Sequence, residues 1–147
     1  NVSSLYPHKN TILFSKAGSV GITYKVERDL EIVTSGALLH LIVKNPMEIL
    51  PDYLTLMLNS KVVQLQAERD SSGAIIQHWK PSEIEKVVIP VLDIEVQMTI
   101  SKKVQESFAM RRQSEKLLEY AKRAVEIAIE QDEETAMKWL KEKGVEC

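Results

Sequence analysis

The segment "ERDSSGAIIQHWKPSEIEKVVIP", Glu68 to Pro90, sets Arg69, Ser71, Ser72, Gln77, His78 and Lys80 around a glycine and an apolar pair. These types can read nucleic acid. Gln77 offers a donor and an acceptor to an adenine edge, Lys80 can donate to guanine or phosphate, and the serines can bind phosphate oxygens. "SKAGSVG", Ser15 to Gly21, is a second such loop: Lys16 and Ser19 are donors, and Gly18 and Gly21 free the backbone amides for close approach. "TSGA", Thr34 to Ala37, supplies Ser35 in a third. Taken alone, each is equally a hairpin turn with solvated side chains. Trp79, between His78 and Lys80, could stack on a base, although a Trp between a strand and a proline more often packs against its own scaffold.

Catalytic chemistry finds no footing. His8, His40 and His78 never stand at helical i, i+3 or i, i+4 spacing, so no helix-borne metal pair exists. His40, inside "ALLHLIV", reads as a hydrogen-bonded strand residue. "GSVG", Gly18 to Gly21, lacks the longer glycine patterns that cradle nucleotide phosphates. "KNPM", Lys44 to Met47, begins like the Asn-Pro-Pro-aromatic turn that holds a flipped base, but Met47 and Glu48 stand in place of the proline and the ring. Pro51 and Asp52 could start a nuclease motif, yet no lysine has an acid two residues before it to complete a metal site. No Gly-x-Ser-x-Gly turn or Cys/His pair offers an activated nucleophile. The reading is a non-catalytic protein with no cofactor of its own.

With 147 residues, 44% of them hydrophobic, the chain has material for one ordinary domain, or a small domain with an appended element. The single cysteine, Cys147, leaves no internal disulfide and no cysteine metal site, as expected in a reducing, cytoplasmic setting. No apolar run is long enough to span a bilayer, so a soluble protein without a membrane partner is expected. The chain opens on Asn1 rather than Met, as a processed chain or fragment would. Net charge is −2, from 19 basic and 21 acidic residues, which is not the footprint of a general nucleic-acid coat. Distribution is more informative: His8, Lys9, Lys16 and Lys25 precede the first acid, Glu27. They could form a local positive surface or simply keep strand edges soluble.

The elements that must position these loops change period near Asp93. Before it, "TILFS", "VGITYKV", "EIVT" and "ALLHLIVK" read as strands. "PDYLTLMLNSKVVQLQAE" reads as one helix, or two joined near Asn59 and Ser60, with Pro51 in its first turn. Ser82 and Glu85 suggest a capping box on a one-turn helix before a closing strand, "VVIP".

From Ile94 to about Leu140 there is no Gly or Pro, and the residues are strong helix formers. One helix is expected, with Asp93 as N-cap and Gly144 just past its end. At 1.5 Å per residue it would extend about 70 Å, more than so small a domain can bury. Its apolar face runs Ile100, Val104, Phe108, Leu117, Leu118, Ala121, Val125 and Ala128. The steps of three and four between Leu118 and Ala128 are those of a coiled-coil seam, so a partner helix is implied. Arg111 and Ser114 interrupt it, as surface residues or as the entry point of another subunit. Tyr53, Tyr120 and Trp139 fall on helices and read as packing residues.

In order, "TILFSKAGSVGI", "VTSGALLHLIV", "ILPDYLTLMLNS" and "SSGAIIQHWKPSEIEKVVIPVLDIEVQMTI" resemble the segments of type I restriction-modification specificity subunits. The last ends on a Gln-x-x-Ile pattern, Gln97 to Ile100, similar to the start of that family's conserved helix. The resemblance covers nearly the whole chain through an ordered series of loose patterns. It implies an α+β fold: a small mixed α/β target recognition lobe, residues 1–93, followed by one long coiled-coil-forming helix, 94–143. It also implies recognition of one half of a bipartite site in double-stranded DNA.

With the loop chemistry and the resemblance taken together, the expected DNA contacts are Ser15, Lys16, Gly18, Ser19, Ser35, Arg69, Ser71, Ser72, Gln77, His78 and Lys80; the resemblance itself bears loosely on Ser15, Lys16, Ser19, Gln77, His78 and Lys80. Helix pairing falls to Val104, Leu118, Ala121, Val125 and Ala128. Pairing would be antiparallel, with another recognition unit or a second copy. The helices would also dock a modification (methyltransferase) subunit, which binds S-adenosylmethionine. A complete recognition domain in that family has about 150 residues before its helix, so this chain corresponds to the second half of one. The alternative from the residues alone is a helical dimerisation or interaction protein that binds no DNA.

Overall fold

The structure, a computed structural model, describes residues 2–73 and 75–145; Cys147 lies outside them. After a 3-10 helix at Val2–Leu5 come strands β1 (Ile12–Ser15), β2 (Thr23–Lys25) and β3 (Leu38–Leu41). Helices α1 (Pro51–Leu58), α2 (Lys61–Asp70), α3 (Pro81–Ile84), α4 (Ile94–Glu130) and α5 (Glu133–Glu142) follow. The fold is therefore α+β. It divides into two compact units, Asn1–Lys102 and Lys103–Cys147.

In the first unit the sheet order is β2-β1-β3, both pairings antiparallel, with Phe14 opposite Thr23 on one side and Leu39 on the other. The two-residue period of β1 sends Ile12 and Phe14 fully into the core. There they meet Val20, Leu58, Val63, Ala67 and Trp79. Helix α1 is seated on β2 by polar contacts. The Thr23 hydroxyl donates to the Thr55 carbonyl at 3.0 Å, and the Asn59 side chain brackets Thr23, accepting from its N–H and donating to its carbonyl, both at 2.9 Å. Lys25, 6% exposed, reaches Asp52 at 2.8 Å and Glu27 at 3.1 Å. Burial disfavours the ammonium charge, but these two carboxylates outweigh it and hold Lys25 above the usual lysine range.

The helical segment is two helices joined at Asn59 and Ser60, one of the two forms expected. Other sequence expectations change here. "EIVT" and "VVIP" form no strand. The backbone of Val88 is met instead by the Gln66 side chain, which accepts from its N–H at 2.9 Å and donates to its carbonyl at 2.8 Å. An amide side chain on α2 thus does what a neighbouring strand would have done, while Val87 and Ile89 pack on the core. The one-turn α3 exists, but Glu83 rather than Glu85 reaches back, accepting from the Lys80 N–H at 3.2 Å. Asp52 and Lys25 are committed to each other, so neither a nuclease start nor a four-charge basic surface survives. Tyr53 is fully buried and donates to the Pro90 carbonyl at 2.7 Å.

The first turns of α4 belong to the first unit through Gln97, which is completely buried. Its side chain accepts from Leu50 N–H at 3.0 Å and donates to the carbonyls of Glu48 at 3.0 Å and Leu92 at 2.7 Å.

In the second unit, the single helix expected to run from Ile94 to about Leu140 stops at Glu130. Asp132 ends it by starting another: its carboxylate accepts from the Thr135 N–H at 2.7 Å, the N-cap of α5. Helix α5 turns back on α4. Trp139 meets Tyr120 edge-on at 5.6 Å, and Ala124, Ile127 and Ala136 are buried. Gly144, at φ +74, closes α5. The face covered by α5 is offset from the expected seam: Leu118 (57% exposed) and Val125 (60%) remain open, as does Ala121, while Val104 and Ala128 are half-buried. Arg111 pairs with Glu115 at 3.0 Å on the surface.

Candidate nucleic-acid interface

The three polar loops, spread over more than sixty residues of sequence, are joined by main-chain hydrogen bonds. Lys16 N–H donates to the Ala37 carbonyl at 2.8 Å, and Trp79 N–H donates to the Lys16 carbonyl at 2.8 Å. Gly18 N–H donates to the Gln77 carbonyl at 3.0 Å. Ser72 and His78 exchange both bonds of an antiparallel pair, at 3.0 and 2.8 Å. A short ribbon beyond β1 thus runs from the third loop through Lys16–Gly18 and Gln77–Trp79 to Ser72.

Trp79 anchors it. The indole is 1% exposed and packs on Phe14 with ring centroids 5.6 Å apart, so it supports the loop from below and presents no face to a base. Gly21 and Gly73 allow the turns. Gly21, at φ +77, lies against Gln64 and Ala67, where a Cβ would approach the Gln64 amide nitrogen to 3.1 Å. At Gly73, φ +129, a Cβ would collide with the Ile76 carbonyl.

The expected contact residues are placed unevenly. Gly18, Ser19, Ser35, Ser72, Gln77, His78 and Lys80 are exposed, and Lys16 is half-buried. Ser15 turns its hydroxyl inward, donating to the Ser19 carbonyl and accepting from Ile22 N–H at 2.9 Å, so it shapes its own loop. The Ser71 hydroxyl is buried. Arg69 grips the Asp70 carboxylate with two nitrogens, at 2.6 and 2.8 Å. That hydrogen bonding lowers the Asp70 acid below the usual carboxylate range and leaves the Arg69 charge partly answered within the chain. The lysines of the ribbon are Lys16, half-buried, and Lys80, exposed, with the exposed His78 two residues before Lys80. Beside the third loop, Thr34 Oγ1 lies 2.8 Å from His40 Nε2.

Sequence reasoning gave no role to Ile75 and Ile76, which sit at the tip of the hairpin, 96% and 58% exposed. An apolar pair inside an otherwise polar turn was the available signal. Among the described residues there is no cluster of three metal-ligating side chains, and no helix is long and apolar enough to cross a membrane.

A type I restriction-modification system S subunit from M. genitalium, known from a crystal structure, is similar to this chain with a TM-score of 0.64 over 84% of its length, at 19% identity. The chain carries the S-subunit fold. It spans about a third of that S subunit, 32% of its length. No family model and no curated protein matches the sequence. Set on the S-subunit fold, the ribbon of loops lies wholly in the first unit and the open stripe of Leu118 and Val125 in the second.

Proposed function

We propose that the chain is a sequence-specific DNA-binding module of a type I restriction-modification complex, a non-catalytic component that reads one half of a bipartite site. The observation that carries this is the joining of three separate polar, glycine-bearing loops into one exposed ribbon on a rigid base, in a chain with the S-subunit fold. Lys16, Ser19, Ser35, Ser72, His78 and Lys80 are the phosphate and groove contacts. Gln77 reads a base edge, and Ser15, Gly18, Arg69 and Ser71 shape the loops. Val104, Leu118, Ala121, Val125 and Ala128 belong to the helix surface that pairs antiparallel with another recognition unit or a second copy. A modification subunit, carrying S-adenosylmethionine, docks on the same helices.

Affinity for a duplex selected from a randomised pool should fall steeply with added salt, because phosphate contacts release counterions. Gln77→Ala should relax preference at one base pair by about 1 to 3 kcal/mol, whereas Lys16→Ala should weaken all sequences alike. Equal losses on selected and random duplexes for every loop variant would refute base reading here.

A second reading, a helical interaction module without DNA binding, is favoured by the open stripe on α4, where Leu118, Val125 and Ile129 (80% exposed) recur at steps of seven and four. Sedimentation of the chain with Leu118→Lys and Val125→Lys separates the two: loss of self-association with duplex affinity intact supports both a pairing stripe and an independent reading lobe. A chain that associates but binds no duplex supports the second reading alone.

A further inference from the structure

We infer that Ile75 and Ile76 recognise the 5-methyl group of thymine in the major groove, so that the Ser71–Lys80 hairpin reads A·T pairs by apolar contact as well as by hydrogen bonding; this rests on the DNA-reading function proposed above. Turn tips ordinarily carry Gly, Asn, Asp or Ser, which tolerate both water and tight backbone geometry. Here two adjacent β-branched residues occupy the tip, one almost completely exposed.

The two ends of the tip are tied. The Ser72–His78 pair closes it, Gly18 and Lys16 brace one side, and the buried Trp79 roots it in the core. The isoleucines are therefore carried on the same braced hairpin as Gln77, one and two residues before it. The major groove admits a two-stranded ribbon, and the only apolar group on its base edges is the thymine methyl. Gln77, beside Ile76, has the amide that adenine N6 and N7 require, so both halves of an A·T pair find matching chemistry within three consecutive residues. A protein partner fits less well, since a stable interface buries about 800 Å² on each side and the tip offers two side chains ringed by polar ones.

The test uses the full chain and a short duplex selected from a randomised pool, with each thymine replaced in turn by uracil, which removes only the methyl. Uracil at one or two positions should weaken the wild-type chain about fourfold each, the factor corresponding to about 0.8 kcal/mol per buried methyl-sized group. A chain carrying Ile75→Ala and Ile76→Ala should lose at least that much on the thymine duplex and nothing further on the uracil duplex. Both positions are exposed, and an unchanged circular dichroism spectrum confirms the fold is intact.

The inference is overturned if uracil is neutral at every position, or if the double variant and uracil weaken binding independently. It is also overturned if the double variant keeps its duplex affinity but loses a modification subunit, which would make the tip a protein contact. A wild-type chain that prefers no sequence at all defeats the DNA-reading function itself, a result distinct from preference without methyl dependence.

Discussion

The two units reach order by opposite means. Among the described residues the first has three short strands, and part of its backbone is met by amide side chains: Asn59 on Thr23, Gln64 on the Gly21 carbonyl at 2.8 Å, Gln66 on Val88, and Gln97 on residues 48, 50 and 92. The second is built from helices, with the Asp132 side chain capping the start of α5, and its core is the narrow contact of Ala124, Ile127, Ala136 and the Tyr120–Trp139 pair. Specific side-chain brackets fix the base of the loops in the first unit, whereas the thin core of the helix pair leaves Leu118, Val125 and Ile129 exposed.

The contrast is tested most severely at Trp79. Replacing a fully buried aromatic by alanine costs about 3 to 5 kcal/mol, and Trp79 joins the sheet, α2 and the ribbon of loops. Trp79→Ala should unfold the first unit at a much lower denaturant concentration while leaving the helical signal of the second, and both transitions are visible in one urea titration followed by circular dichroism and Phe14-region NMR signals.

Lys25 comes next. Removing one member of a buried pair takes from the other charge the partner that offset its burial, at about 3 kcal/mol or more, so Lys25→Ala should destabilise the first unit through Asp52. Because the folded chain favours the ammonium, the contribution is complete below the unfolded lysine pKa of about 10.4 and is lost as pH climbs through the higher folded value. Wild-type stability should therefore fall in strongly alkaline solution, and the variant should lack that part of the fall.

A smaller effect is expected at Gln97, where Gln97→Leu would leave Leu50 N–H and the carbonyls of Glu48 and Leu92 without the partner they have now. The cost is about 1 to 3 kcal/mol for each of these groups that stays out of water. Hydrogen exchange at Leu50 should accelerate before exchange in β1 does, because the bracket holds the start of α4 and not the sheet.

How legible each unit was in the sequence follows from these mechanisms. The central strand was legible because "TILFS" is a β-rich run bounded by turn residues, and α4 because long runs of helix formers have few alternatives. "EIVT" and "VVIP" misled because β-rich composition marks a residue that fits a half-buried surface, not one that has a strand beside it; Val87 and Ile89 do pack on the core, with Gln66 in place of a strand. The convergence of the three loops was not legible, since it depends on backbone bonds between Lys16, Ala37 and Trp79 that no local pattern encodes. The break after Glu130 was legible in principle: Asp132 followed by Thr135 is an N-cap pattern, but it is masked in a run without Gly or Pro.

That break yields the smallest effect and the sharpest test of the second unit. Asp132 accepts backbone hydrogen bonds at the start of α5, chiefly from Thr135, and these hold its acid below the ordinary carboxylate value. A group lowered in this way contributes fully above the unfolded aspartate pKa, about 3.9, and its contribution disappears as pH falls through the folded value. Acidification should therefore fray α5 first, seen as loss of the edge contact between Trp139 and Tyr120 in aromatic NMR shifts. Asp132→Asn keeps an oxygen to accept from Thr135 but has no proton to gain, so it should retain the contact with a weaker acid dependence. Asp132→Ala should loosen the contact at every pH. If Asp132→Ala instead leaves Trp139 undisturbed, the aromatic pair alone sets the turn, and the two helices of this unit are joined by packing rather than by the cap.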